Sequence, residues 1–105
     1  MTRYAYDLLR TTDWRGPMIE LMGEEGYALA QDSIVSSSEM QVSGEWVEGT
    51  GFSRETGGMG AVALSREDGR LLVAIVAGPG VSPQLWGDPR GPLPEQVRQV
   101  MEDTP

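Results

Sequence analysis

One stretch of the sequence is apolar on both of its alternating faces, and it limits the folds open to this chain more than any other feature. It covers residues 71–77 and follows a second apolar run, residues 60–65, with the turn Arg66–Gly69 between them. The dipeptide Asp68-Gly69 is typical of tight hairpin turns. Because residues 71–77 offer no polar face, we expect an interior strand that is covered on both sides.

Two short helices are predicted in the chain. Gly16-Pro17 indicates the start of the first, which carries an apolar group up to Met22 and ends at Gly23. Pro92 and Pro94 indicate the start of the second, whose apolar residues recur at helical spacing: Leu93, Val97, Val100 and Met101. The second helix covers one face of the sheet. The other face must be covered by the N-terminal segment, by a second sheet layer or by another copy of the chain, so a homodimer is one predicted assembly.

Three further segments suggest strands. Residues 4–10 alternate like a strand, although Tyr4, Leu8 and Leu9 also fit one helical face. Residues 27–35 suggest a strand after an exposed turn at Glu24–Gly26. Residues 39–48 alternate best, and their apolar face comprises Met40, Val42, Gly44 and Trp46, with Glu39, Gln41, Ser43 and Glu45 on the solvent face.

Two connections rich in glycine or proline complete the chain, a long flexible loop over residues 49–60 and a loop over residues 78–91. We therefore predict a single acidic α+β domain over residues 1–105. Its mostly antiparallel sheet has four or five strands, with a short helix from the N-terminal half and the C-terminal helix packed on it.

The residue types that the chain lacks exclude many kinds of chemistry. It has no Cys, His, Lys or Asn, and all eight of its cations are arginine. Thiolate and imidazole nucleophiles, lysine Schiff bases, Ser-His-Asp triads and cysteine-bound zinc are therefore excluded. Carboxylates, tyrosine and hydroxyls remain, but no EF-hand spacing or dinucleotide-binding glycine motif occurs. We predict no catalytic residue, no cofactor and no metal.

A formal net charge of -8 bears on the choice of partner. It disfavours direct binding to nucleic acid or to an anionic membrane, because both are polyanions. It keeps a small protein soluble, and it would also steer the chain towards a basic protein. The first residues lack the apolar stretch of a secretory signal, and the longest apolar run is too short to cross a bilayer. We expect a cytoplasmic protein.

Acidic, aromatic and arginine residues on the predicted strand and loops have the composition of a protein-binding surface. Trp46 is expected in the core because it lies on the apolar face of its strand, whereas Trp86 lies in a loop and is the candidate for an exposed anchor. The predicted partner-binding residues are Glu39, Glu45, Glu48, Phe52, Arg54, Trp86, Asp88 and Arg90.

These features predict a non-enzymatic inhibitor whose acidic surface occupies a basic site on a protein partner, such as an enzyme that handles nucleic acid. In size and charge the chain resembles toxin-immunity and phage anti-defence proteins. Two alternatives stay open. One is a small-ligand-binding or carboxylate-based catalytic domain, and the other is an acidic secretion-type chaperone that binds unfolded clients through an exposed apolar strand.

Overall fold

The apolar runs on either side of Arg66–Gly69 form an antiparallel hairpin in a computed structural model of the chain, which describes residue 10 and residues 12–102. The hairpin is therefore confirmed, and its second strand is buried along its whole length. The elements in chain order are α1 (Thr12–Ser33), β1 (Ser36–Ser37), β2 (Gln41–Ser43), β3 (Trp46–Phe52), β4 (Met59–Ser65), β5 (Leu71–Val76), β6 (Gln84–Trp86) and α2 (Glu95–Glu102).

All six strands belong to one antiparallel sheet. The order is β1-β3-β4-β5-β6, and β2 pairs with the part of the outer edge of β3 that β1 leaves open. One helix from the N-terminal half and one C-terminal helix pack on this sheet, so the predicted α+β fold is confirmed. The strand predicted over residues 4–10 lies outside the described residues, apart from Arg10.

The first helix is longer than predicted. The short helix expected over residues 16–22 is present and is interrupted at Gly23, where its end was predicted, but α1 begins at Thr12 and helix resumes after the break as far as Ser33. The turn predicted at Glu24–Gly26 and the strand predicted over residues 27–35 are therefore wrong. Alanine, leucine and glutamine at positions 28–31 favour a helix. The buried residues of this part recur at spacings of three and four instead of alternating: Tyr27, Ala30 and Ile34.

Helix α1 folds back on itself at Gly23. This residue has φ 75° and ψ 168°. The conformation is not helical, and glycine adopts it more readily than any other residue. The Arg10 guanidinium donates hydrogen bonds to the carbonyl oxygens of Gln31 (2.8 Å) and Ile34 (3.0 Å). A straight helix would separate residues 10 and 34 by about 36 Å, far beyond the reach of an arginine side chain. The two halves of α1 therefore lie side by side, and Arg10 satisfies carbonyls at the C-terminal end of the second half.

Residues 39–48 form a hairpin, so the single strand predicted there is wrong. Strand β2 ends at Ser43, Gly44 and Glu45 reverse the chain, and Ser43 pairs with Trp46 at the start of β3. The predicted apolar face is thereby divided, since Val42 is 64% exposed whereas Trp46 is 4% exposed. The prediction that Trp46 belongs to the core is confirmed.

Both glycine-rich connections contain more strand than predicted. Strand β3 continues to Phe52 and β4 begins at Met59, which leaves a loop of residues 53–58 only. The predicted loop over residues 78–91 contains β6, which pairs with β5. Glycine is suited to β3 because this strand passes close to the segment that leads from α1 into β1, and a Cβ atom at Gly51 would lie 2.6 Å from Ile34 Cγ2.

Strand β5 separates two apolar cores. Leu71, Val73 and Ile75 face α1, where they join a cluster with Met18, Met22, Tyr27, Ala30, Ile34 and Val62. The alternate residues of β5 face α2 and join a cluster that comprises Leu72, Ala74, Val76, Trp46, Ala61, Ala63, Val97 and Val100. The sequence leaves three covers open for the second face, and the N-terminal part of the chain, in the form of α1, is the one observed in this structure. Neither helix of the described segment has the length and apolar character that crossing a membrane would require.

Candidate functional site

The predicted partner-binding residues do not converge on one surface. Glu45, Asp88 and Arg90 lie at the end of the sheet where β3 begins, β4 ends and β5 begins; we call this the charged end. Phe52 and Arg54 lie at the opposite end, where β3 passes into the 53–58 loop. All five of these side chains are exposed. The structure therefore brings together one part of the predicted surface and separates the other part from it.

Glu48 is not part of any surface. Its side chain is 1% exposed, and its Oε1 accepts a hydrogen bond from the backbone N–H of Gln96 at 2.9 Å. The assignment of Glu48 to the partner-binding surface is therefore wrong. The carboxylate instead satisfies one of the free N–H groups in the first turn of α2. The sequence carried a signal for this, because strict alternation places Glu48 on the same face as Trp46.

Two further predicted residues have different surroundings from those expected. Trp86 is half-buried on β6 and packs against the core beneath α1, where Gly26 leaves room for its ring. It is therefore less accessible than a free loop anchor would be. Glu39 is exposed in the segment between β1 and β2, away from the charged end defined above.

The charged end is organised around Arg70. Its guanidinium lies over the ring of Trp46, 5.3 Å from the ring centroid. Arg70 Nη2 lies 3.3 Å from Glu45 Oε2, and Arg70 Nε lies 3.4 Å from Asp68 Oδ1. Arg90 Nη1 lies 3.4 Å from Asp68 Oδ2. These five residues, which we call the arginine cluster, connect the β2–β3 turn, the β4–β5 turn and the loop after β6.

Asp68 is held in its charged form by this arrangement. Partial desolvation raises its pKa, but the backbone N–H of Arg70 and the hydroxyl of Ser65 lower it. The positive charges of Arg70 and Arg90 also lower it. The lowering effects prevail, so the pKa of Asp68 lies below its ordinary value of 3.8. Asp68 therefore stays ionised at neutral pH and balances the charges of the two arginines.

A groove adjoins the charged end on the α1 side of the sheet. It has a volume of about 590 Å³ and lies between the first half of α1 and the β4–β5 turn. Apolar side chains form most of its wall, and two charged residues border it. The lining residues are Trp14, Pro17, Glu20, Leu21, Gly69, Arg70 and Leu71. Arg70 is thus shared between the groove and the arginine cluster.

Sequence reasoning did not identify Trp14, Glu20 or Arg70 as site residues. Trp14 and Glu20 precede and follow Pro17 on the helix, and Arg70 directly follows the Asp68-Gly69 turn. Helical spacing places positions 14, 17 and 21 on one side of α1, and this was a usable signal for the helix wall of the groove. No local pattern indicates that this wall would face Arg70, since the fold brings them together over about 50 residues of chain.

The apolar wall of the groove and the paired charges beside it can contribute to recognition by shape and charge. Within the described ranges, no group of three acidic side chains is placed to hold a metal ion. The groove combines an apolar wall with few polar groups, which is typical of binding sites in general. Comparison of the chain with protein-family models, with curated proteins and with solved structures gives no match.

Proposed function

We propose that this chain is a non-enzymatic protein-binding domain of the inhibitor type, and that its acidic surface occupies a basic site on a partner protein. The observation that carries the proposal is that the negative side chains of the domain are more accessible to a partner than its positive ones. Across residues 14–102 every acidic side chain except Glu48 is exposed. Exposed carboxylates attract a basic partner over distances of about 8–10 Å at moderate salt.

The arginines are largely engaged within the molecule. Arg10 binds the end of α1, and Arg70 lies within the arginine cluster. Arg90 pairs with Asp68, and Arg98 pairs with Glu102 at 2.8 Å. Arg15 and Arg54 are exposed and have no ion pair within the described part of the chain. Part of the positive charge is therefore tied to internal partners, and exposed carboxylates outnumber the free arginines on the surface that a partner meets.

Helix α1 carries the most suitable part of this surface. Glu25 and Asp32 are exposed at positions that lie two turns apart on one face of its second half, and Glu24 is exposed beside Glu25. We call these three residues the acidic face. Because its residues belong to a helix packed on the sheet, the acidic face presents its charges at fixed positions, which reduces the entropy that binding must overcome.

A cytoplasmic location belongs to the same proposal. The chain contains no cysteine and so builds its core without disulfides, whereas small domains of oxidising compartments commonly depend on them.

The test begins with the partner, captured from the native host at low salt and then purified. Its association rate with this chain is measured between about 20 and 150 mM salt, over which the screening length shortens strongly. We expect the rate to fall at least about tenfold. An association rate that does not change over this range would overturn the proposal.

Charge reversal locates the surface. The double variant Glu24→Arg, Glu25→Arg should slow association more than the double variant Glu55→Arg, Glu95→Arg, which changes the net charge equally at exposed sites away from α1. Glu45 is less suitable for this test, because its reversal would break the contact with Arg70. Equal rates for the two double variants would contradict the assignment to the acidic face.

A further inference from the structure

We propose that the groove beside the arginine cluster holds a lysine or arginine side chain that the partner protein presents. This inference rests on the proposed function, and it assigns the anchoring contact of the complex to a defined part of the surface. It is carried by three features of the groove, namely its aromatic and aliphatic wall, the balance of charge around it and its volume.

The wall suits the long stem of a cationic side chain. Trp14, Pro17 and Leu21 from α1 lie opposite Leu71 from the sheet, so methylene groups entering the groove would be covered on both sides. Lysine and arginine bury such stems while their charged ends stay in contact with polar groups. The ring of Trp14 adds an aromatic surface, over which a cation is stabilised.

The charge available in the groove is negative. Arg70 contributes a positive charge, but Glu45 and Asp68 lie 3.3 and 3.4 Å from its guanidinium and compensate it. Glu20 is exposed on the groove wall, and within the described part of the chain it has no ion pair. An incoming cation would therefore meet an unpaired carboxylate on one side and a neutralised arginine on the other.

The volume of the groove is large enough for a cationic side chain of the partner and a neighbouring residue. A groove of about 590 Å³ lies within the usual range for binding sites and exceeds what one side chain fills. It therefore accommodates a cationic side chain together with an apolar neighbour from the same segment. Small apolar molecules and anions are the competing occupants, and the experiment distinguishes all three.

The probe is the peptide acetyl-Ala-Leu-Arg-Leu-Ala-amide, titrated into ¹⁵N-labelled protein and followed by NMR. Two matched peptides carry norleucine or glutamate in place of arginine. We expect the arginine peptide to shift the indole N–H of Trp14 and the amide of Gly69 in a saturable way. The norleucine peptide should bind several-fold more weakly, and the glutamate peptide should cause no shift at these positions.

Glu20→Gln removes the unpaired carboxylate at an exposed position, so the variant should fold normally. The variant should bind the arginine peptide about threefold more weakly, as expected for the loss of one exposed ion pair. Its affinity for the norleucine peptide should not change. Glu95→Gln is the matched control, because Glu95 is an exposed acid on α2, on the other side of the sheet. It should bind both peptides like the unmodified chain.

Each other outcome has a definite meaning. Equal affinity for the norleucine and arginine peptides, or tighter binding of the glutamate peptide, would overturn the assignment of a cationic occupant. Shifts confined to the acidic face would overturn the groove as the site, while binding by charge would stand. The peptides could bind the groove as expected while the association rate of the native partner does not depend on salt. That result would overturn the proposed function, but the preference of the groove for a cation would stand.

Discussion

The Glu48 carboxylate on β3 accepts a hydrogen bond from the backbone N–H of Gln96 on α2 at 2.9 Å, across 48 positions of sequence. Helices usually receive such a bond from the residue just before their first turn, but here Pro94 precedes the helix and offers no side-chain acceptor. The sheet therefore supplies the cap. This contact fixes the start of α2 to the same face on which Val97 and Val100 are buried.

Replacement of Glu48 by alanine should lower the free energy of unfolding by about 1–2 kcal/mol, because it removes the cap of α2 and leaves a partly buried N–H without its acceptor. Glu48→Gln keeps an acceptor oxygen and should cost less than half as much. Urea denaturation measures both. Glu95→Ala, at an exposed site in the same first turn, should stay within about 0.5 kcal/mol, and a loss as large as that of Glu48→Ala would contradict the capping role.

Arg70→Met should destabilise the domain by about 1–2 kcal/mol. The methionine stem still covers Trp46, but the stacked cation and the contacts with Glu45 and Asp68 are lost, and each is worth a fraction of a kilocalorie to about one kilocalorie at a partly exposed site. Arg98→Met removes a helix-surface ion pair and should cost about 0.3–0.5 kcal/mol. Thermal unfolding of both variants is the measurement, and equal losses would show that the arginine cluster adds no stability of its own.

The stability of the domain should depend on the charge of Asp68 in acid. The pKa of Asp68 is lower in the folded chain than its ordinary value of 3.8. The charged Asp68 therefore contributes fully to the free energy of unfolding above pH 3.8, and this contribution is lost as the pH falls through the pKa of the folded chain. We expect Asp68→Asn to be less stable than the unmodified chain at pH 7 and to approach its stability as the pH falls through the lowered pKa of Asp68. Urea unfolding at a series of pH values tests this, and a difference that does not change with pH would contradict it.

Gly23→Ala tests the fold-back of α1. A side chain at this φ and ψ is strained by about 1–3 kcal/mol, while no neighbouring atom lies within 4 Å of the added Cβ. The loss of stability should thus reflect the backbone conformation alone. The matched variant Ala28→Gly, at an exposed position of the same helix, should cost about 0.5–1 kcal/mol. A smaller loss for Gly23→Ala than for Ala28→Gly would show that the break at residue 23 is not required.

The parts of the fold that could be predicted from the sequence are those whose signals are local. The β4–β5 hairpin combines a turn dipeptide with two apolar runs, and α2 combines a proline-marked start with apolar residues at helical spacing. Both are confirmed. The hairpin around Gly44 and Glu45 was missed because alternation continues in phase through the turn, so the reversal leaves no break in the pattern.

Other parts depend on contacts between distant segments. The sequence of residues 27–33 fits either a strand or a helix. The helix is favoured because it allows Tyr27, Ala30 and Ile34 to pack against the sheet. The candidate site is less predictable still. Arg70 meets Glu45 across 25 positions, and no local pattern reports such a pair. The surface residues were predictable as exposed acids, but their division between the two ends of the sheet was not.

The position of β5 between the two cores has a consequence for cooperativity. Alternate residues of this one strand complete the packing beneath α1 and beneath α2, so neither helix can lose its cover without disturbing the other. The two layers should therefore unfold in a single transition, although their helices lie on opposite sides of the sheet and are joined mainly through it. Local openings would spare β5, and its amides should exchange with solvent only through global unfolding. Residues 71–76 thus act as the common element through which the whole domain gains or loses its structure.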